Sequence, residues 1–314
     1  KELGNVIEYG SIHHWLAYFL CEYNISSQKG GKPNAALCAF MELNGIFRPR
    51  NIFLQHGIII NNLRWLYAET SRFEKFIVST IPEYNYVKKN FGYSENTISL
   101  TGMPRQDALH DMKVLTNRIL IMPTWRYWFN LNSKKHKDTD KDFETSEYLN
   151  KWLELLDNSE MAEMIENYHL EVIFYPHRNM QNYLNAFDKV KTKITIASWK
   201  KYDIQELLKT SSMLITDYSS VFFDMVYMKK PIIFYQFDEK KYRKYQYSEG
   251  YFDYHDNPFG RTYEEYTDVM AELKKIIKRD FMPSQEFLEE HQKIFKYWDD
   301  KNSERIFEML SDNR

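Results

Sequence analysis

Apolar residues in this chain follow two rhythms. Short continuous runs, rich in β-branched and aromatic residues, alternate with longer stretches in which apolar positions recur every three to four residues. The runs predict strands at Asn51 to Gln55, Lys75 to Ser79, Ile98 to Thr101, Arg118 to Met122, Leu170 to Tyr175, Ile194 to Ala197, Met213 to Thr216 and Pro231 to Tyr235. The helical periods fall at Ser11 to Tyr23, Tyr84 to Phe91, Ser146 to Tyr168, Ile204 to Lys209 and Ser220 to Met228, and everything from Tyr263 onward reads as helix. Val6-Ile7-Glu8-Tyr9 reads as a strand already under way, with further sequence expected upstream. Asn130 to Asp142 is polar and aperiodic and reads as a solvated loop placed to act as a lid.

Alternation of strand and helix predicts an α/β protein, and unbroken apolar strands predict parallel sheets covered on both faces. One series ends near Asp111 to Asn117 and a second begins at Arg118, which predicts two doubly wound domains, 1–114 and 115–314, the second carrying a helical tail. In such sheets ligands sit beyond the carboxyl ends of the strands. The residues just after each apolar run are therefore the candidates for chemistry.

Composition narrows the class. The 314 residues carry 42 Lys plus Arg against 44 Asp plus Glu, and a net charge of −2 gives no overall electrostatic pull toward nucleic acid. Two cysteines, Cys21 and Cys38, without metal-type spacing exclude a disulfide framework and fit a reducing cytoplasm. No run approaches the 18 or so apolar residues of a membrane span. Gly and Pro are scarce at 10 and 9, whereas Tyr, Phe and Trp reach 24, 21 and 7, which argues against disorder and turn-rich sandwiches. The aromatic excess has two readings, a codon bias or an aromatic-lined cleft and membrane-touching surface.

Five strand ends carry candidate chemistry. Phe53-Leu54-Gln55-His56-Gly57 and Ile173-Phe174-Tyr175-Pro176-His177-Arg178 each deliver a His, the second with a cation beside it. A strand-end His is either a structural hydrogen-bonder or a proton acceptor and phosphate partner, since imidazole titrates near pH 6.5. Thr216-Asp217-Tyr218-Ser219-Ser220 passes into a helical pattern, either a plain Ser cap or an anion site at a helix start. Met122-Pro123-Thr124-Trp125-Arg126 offers a hydroxyl, an indole and a guanidinium suited to phosphate pairing or base stacking. Gly102-Met103-Pro104-Arg105-Gln106-Asp107 makes a rigid corner in which Arg105 and Asp107 read as structural. No Walker loop, His-Glu-x-x-His or Gly-x-Ser-x-Gly motif occurs, and no metal or cofactor is expected.

Taken in order, Leu54-Gln55-His56-Gly57, Gly102 to Asp107, Pro123 to Arg126, Pro176-His177, Thr216 to Asp224 and Lys230 to Tyr235 resemble the CDP-glycerol glycerophosphotransferase family of teichoic acid and capsule polymerases. The resemblance runs from about Val6 to Gly260. It implies a GT-B fold, two Rossmann-like domains facing across a cleft, an acceptor-side N-terminal one lacking its first strand and helix and a C-terminal one holding the CDP donor. It implies transfer of an alditol phosphate from CDP-glycerol or CDP-ribitol to a hydroxyl of a lipid-linked or polysaccharide acceptor, with release of CMP. By the same resemblance His56 is the catalytic base and His177 the second essential His. Ser219, Ser220, Asp217, Thr124, Trp125, Arg126 and Arg178 belong to the donor and phosphate site, and Gly57, Gly102, Pro104, Arg105 and Asp107 to structural motifs. Ile58 stands where the family has Thr, and Arg178 follows the His where the family has Arg before Pro-His. A GT-B glycosyltransferase using a nucleotide sugar is the alternative, and a non-catalytic polysaccharide or lipid-carrier binding module a further one. Tyr9, Trp15, Tyr18 and Phe19 form an amphipathic cluster expected to meet the inner face of a bacterial membrane peripherally.

Overall fold

The computed structural model describes residues 5–111, 113–129 and 139–312. It divides into two compact units, Lys1–Ala108 with Lys293–Arg314, and Leu109–Gln292.

The first unit is built on four parallel strands in sequential order, β1 (Tyr23–Ser26), β2 (Arg50–Phe53), β3 (Lys75–Val78) and β4 (Ile98–Leu100). Successive side chains of a strand point to opposite faces. Phe53, Phe76 and Val78 pack on one face with Val87 and Phe91 of helix Ile81–Asn90. Ile52 and Ile77 face the other way and meet Ile306 and Leu310 of helix Asn302–Ser311. The last helix therefore covers the first sheet. The sequence reading assigned the whole tail to 115–314, but nothing in a helical period of the tail says which sheet its apolar stripe covers.

The second unit holds six parallel strands, β5 (Arg118–Met122), β6 (Glu171–Phe174), β7 (Thr195–Ile196), β8 (Met213–Thr216), β9 (Ile232–Tyr235) and β10 (Gly260–Tyr263), in the order β10-β9-β8-β5-β6-β7. From β5 the chain steps outward through β6 and β7, then returns to β8 on the other side of β5. The junction of β5 and β8 is thus the point where the winding reverses, and crevices at such points take ligands. Ile119, Ile121, Val172, Phe174, Met213 and Ile215 share one face with Trp152, Met161 and Leu273 from three helices. On the opposite face Phe234 meets Phe222 of helix Phe222–Tyr227 at 5.1 Å.

Three local expectations change. Residues 5–8 are irregular and lead through a turn to helix Ile12–Leu20, which Ser11 caps by accepting from His14 N–H at 3.2 Å, so the strand expected at Val6 to Tyr9 is absent. Tyr23 belongs to β1, not to that helix. The long helix expected at Ser146 to Tyr168 breaks at Asp157, because Asn158 caps a second helix, Ser159–Asn167, by accepting from Met161 N–H at 2.8 Å. Edge strand β10 escaped notice as well, since it opens on Gly and Arg; its Gly260 is needed there, because a Cβ would lie 2.6 Å from the Ile232 carbonyl oxygen. Of the loop expected at Asn130 to Asp142, residues 130–138 lie outside the described residues, and helix Thr139–Glu144 begins at its end.

Candidate functional site

The junction of β5 and β8 is locked by one buried guanidinium. Arg126 is fully buried; its Nε donates to Asp238 Oδ2 at 2.7 Å, Nη2 to Asp238 Oδ1 at 3.0 Å, and Nη1 to the Thr124 carbonyl at 2.9 Å. Its Nη2 also pairs with Asp217 Oδ2 at 2.8 Å, and Tyr148, Tyr218 and Tyr242 present their rings within 4.9 to 5.3 Å. Burial alone would pull the guanidinium down, but Asp238 and Asp217 outweigh it and hold Arg126 charged, well above its ordinary value. Asp217 Oδ1 accepts from the N–H of Thr124 at 2.8 Å and of Tyr218 at 2.7 Å, stitching the loops after β5 and β8 together. The sequence reading put Arg126 and Asp217 among the phosphate contacts. Both are sealed from solvent with their groups engaged on one another, so they shape the loops and do not touch a ligand in this arrangement. Tyr218 and Tyr175 are buried too, and Tyr218 stacks on Tyr242 at 3.9 Å with its hydroxyl on Asp238.

What the lock leaves at the surface is a short arc of groups. Ser219 and Ser220 are half-buried, and Ser219 Oγ accepts from Val221 N–H at 3.4 Å. The helix they precede, Phe222–Tyr227, has six residues, so its dipole is weaker than the sequence reading assumed and the hydroxyls matter more. His177, after β6, donates its main-chain N–H to Pro123 O at 3.1 Å, and its ring lies 6.3 Å from that of Trp125. Its Nδ1 accepts from Asn179 N–H at 3.1 Å, which leaves the ring proton on Nε2. Burial pushes this imidazole down to about 4, so at neutral pH His177 is a neutral N–H donor and not the cation allowed from sequence. The exposed Arg178 holds its guanidinium 4.5 Å from the Trp199 ring. Thr124 is buried and Trp125 half-buried on the loop after β5.

In the first unit His56 sits just past β2 and is exposed. Its Nδ1 lies 3.3 Å from the Ser27 carbonyl oxygen. A carbonyl only accepts, so this contact puts the ring proton on Nδ1 and leaves the Nε2 lone pair to take another. Arg105 Nη1 donates to the His56 carbonyl at 2.6 Å. Gln106 Oε1 accepts from Ser79 Oγ at 2.6 Å and Met103 N–H at 3.0 Å, and Asp107 accepts the N–H groups of Asn302 and Ser303 at 2.8 and 2.9 Å. Gly102 has φ of +82°, and Pro104 opens the short helical turn Pro104–Leu109. Gly57 forms the turn next to His56.

Sequence reasoning missed Gln55, Glu83 and Asp238. Gln55 is buried with φ of +62°, and its Nε2 donates to Ile77 O at 2.5 Å and Glu83 Oε1 at 3.1 Å. Glu83 was visible in outline, because Thr80-Ile81-Pro82-Glu83 has capping-box spacing and Thr80 Oγ1 accepts from Glu83 N–H at 3.3 Å. Asp238 had no local signal, standing 112 positions from Arg126.

The chain is 29% identical over 322 aligned positions to the minor teichoic acid biosynthesis protein GgaB of Bacillus subtilis, covering 99% of this chain and 34% of that protein. It is 26% identical over 259 positions to the teichoic acid ribitol-phosphate polymerase TarL of Staphylococcus aureus, covering 76% of this chain and 41% of that one. The chain thus spans less than half the length of these relatives. A solved structure of the wall teichoic acid polymerase TagF superposes with a TM-score of 0.64 at 21% identity, over 96% of this chain and 74% of that one. A UDP-GlcNAc 2-epimerase of Methanocaldococcus jannaschii gives 0.51 at 15% identity, over 92% and 75%. These likenesses, with the two parallel sheets, show a GT-B-type fold of two Rossmann-like units. The family model for CDP-glycerol:poly(glycerophosphate) glycerophosphotransferases matches residues 2–312, and the chain belongs to that family.

Proposed function

We propose that this chain transfers glycerol phosphate, or a similar alditol phosphate, from a CDP-alditol to a hydroxyl of a lipid-linked or polymeric acceptor in teichoic acid or capsular polysaccharide synthesis. The observation that carries the reading is the family match across residues 2–312, in which His56 stands exposed with its Nε2 lone pair available. The first unit takes the acceptor side and the second the donor. The acceptor hydroxyl oxygen forms a bond to the alditol-bearing phosphorus while the bond from that phosphorus to the bridging oxygen breaks. The electron pair leaves with CMP, and the hydroxyl proton passes to His56 Nε2. General base help of this kind contributes about 100- to 10,000-fold. His177 donates its Nε2–H to a phosphate oxygen, joined by Ser219, Ser220 and the Arg178 cation, with Thr124 and Trp125 on the loop after β5 and Arg126 and Asp217 holding the loops in place.

The proposed workplace is the inner face of a bacterial membrane, met peripherally. No helix among the described residues is long and apolar enough to cross one. Tyr18, first grouped with the surface aromatics, is buried against Glu42, whereas Ile12, Leu16 and Leu20 are exposed at 77, 51 and 82% and line one stripe of helix Ile12–Leu20. Liposome binding that survives Ile12→Ser with Leu20→Ser would remove this stripe from the account.

The test is a donor screen by mass spectrometry, with CDP-glycerol and CDP-ribitol each offered alongside a synthetic lipid-linked acceptor. CMP release that His56→Ala abolishes is the expected result. UDP release from a nucleotide sugar, with no CMP from either donor, would replace the reading with that of a glycosyltransferase.

A further inference from the structure

The loop that presents His56 is bent against the preference of its own backbone. Gln55, the residue before it, adopts φ of +62°, a left-handed conformation that a long L side chain avoids. Something must hold it there. Ties from both sides of His56 converge on one carboxyl group, that of Glu83, which has no exposure to solvent. Glu83 Oε1 accepts from Ile59 N–H at 2.8 Å and from Gln55 Nε2 at 3.1 Å; Oε2 accepts from Ser79 N–H at 2.8 Å. The two donors on Oε1 flank His56, one before it and one three residues after. The donor on Oε2 belongs to the loop following β3. Gln55 adds a second tie to β3 through the Ile77 carbonyl at 2.5 Å.

We propose that Glu83 and Gln55 are the positioning residues of the catalytic base: the buried carboxylate clamps both shoulders of the His56 turn to the adjacent strand, and so fixes where the imidazole projects. The inference rests on the reading of His56 as base. Neither residue reaches substrate, since both are buried, so their action passes wholly through His56. A carboxylate suits the task because it only accepts, and the three groups aimed at it only donate. An amide at position 83 keeps the volume but offers a single acceptor oxygen and turns an N–H pair on one of its donors. Burial raises the Glu83 carboxyl to about 7 while the donors around it oppose the rise, so the form that only accepts predominates above that pH.

The test compares the full chain with Glu83→Gln and Gln55→Gly. Gln55→Gly relieves the backbone strain, so the variant folds, while deleting the amide that reaches Glu83. Two readouts are taken. Carbon-13 and nitrogen-15 imidazole NMR, with the His56 signals identified by their loss in His56→Asn, reports the ring directly. CMP release gives kcat and the donor KM. Shifted or broadened His56 signals and a kcat about 10- to 100-fold lower, with donor KM within about twofold, are expected of both folded variants. Wild-type His56 signals and kcat in folded variants would overturn the proposal. If Glu83→Gln does not fold, Gln55→Gly decides. If the unaltered chain releases no CMP from either CDP-alditol, the functional reading falls and the imidazole signals alone judge the positioning.

Discussion

Asp107 accepts the main-chain N–H of Asn302 at 2.8 Å across 195 positions of sequence, and so serves as the N-cap of a helix it does not precede. A second bond to Ser303 N–H at 2.9 Å and a third to Ser303 Oγ at 2.6 Å complete the cap. Helix Asn302–Ser311 contains neither its own capping side chain nor a basic last turn, so its N–H groups depend on the corner after β4. Asp107→Ala is expected to cost about 1 to 2 kcal/mol, read from urea unfolding. Gly102→Ala strikes the same contact from the other side. At φ of +82° its Cβ would lie 1.9 Å from Asn302 Oδ1, and amide hydrogen exchange in Asn302–Ser311 should accelerate in both variants. Unchanged exchange there would refute this docking.

Arg126 neutralises two carboxylates in a place water does not reach. Replacement by Met leaves Asp217 and Asp238 buried without a cation, and a broken buried pair costs about 3 to 5 kcal/mol. A fall in melting temperature should accompany loss of CMP release, because the Thr124 and Tyr218 amides lose the carboxylate orientation that sets the loops. A variant of wild-type stability would show that the network is dispensable.

His177 carries a pH signature. Burial lowers its folded pKa to about 4, below the ordinary 6.5. The unfolded chain therefore binds the proton more readily between these values. The contribution of His177 to stability is complete above pH 6.5 and is lost as pH falls through 4. His177→Gln should flatten that acid limb in thermal unfolding, and NMR titration of the wild-type ring should show a midpoint well under 6.

Arg105 Nη1 donates to the His56 carbonyl at 2.6 Å, a further tie on the turn that Glu83 clamps. Arg105→Ala is expected to reduce kcat about 10- to 100-fold with donor KM nearly unchanged, as displacement of a base would do. A raised KM at constant kcat would instead place Arg105 in binding, and would contradict its assignment here.

Much of the second unit is legible in the sequence. Ile119 to Met122 and Met213 to Ile215 are unbroken apolar runs because parallel central strands are covered on both faces, and the pattern needs nothing distant to interpret it. The strand-end rule then pointed to His56, His177 and Ser219-Ser220, all at loops following strands. Edge strands were harder. Tyr23–Ser26 is four residues long with one exposed isoleucine, and only pairing with β2 makes it a strand.

The residue types along the chain were enough to establish two parallel α/β series, the strand-end histidines and the family, because these depend on local periodicity and on motifs contiguous in sequence. Folding supplied the roles. Arg126 stopped being a phosphate ligand once Asp217 and Asp238 closed around it, the final helix joined the first sheet once Asp107 and Ile77 met it, and His56 acquired a clamp once Glu83 came to lie beneath it. Each of those outcomes depends on burial and on partners 24 to 195 positions away, where a hydrogen bond is set by distance in space and leaves no trace in spacing along the chain.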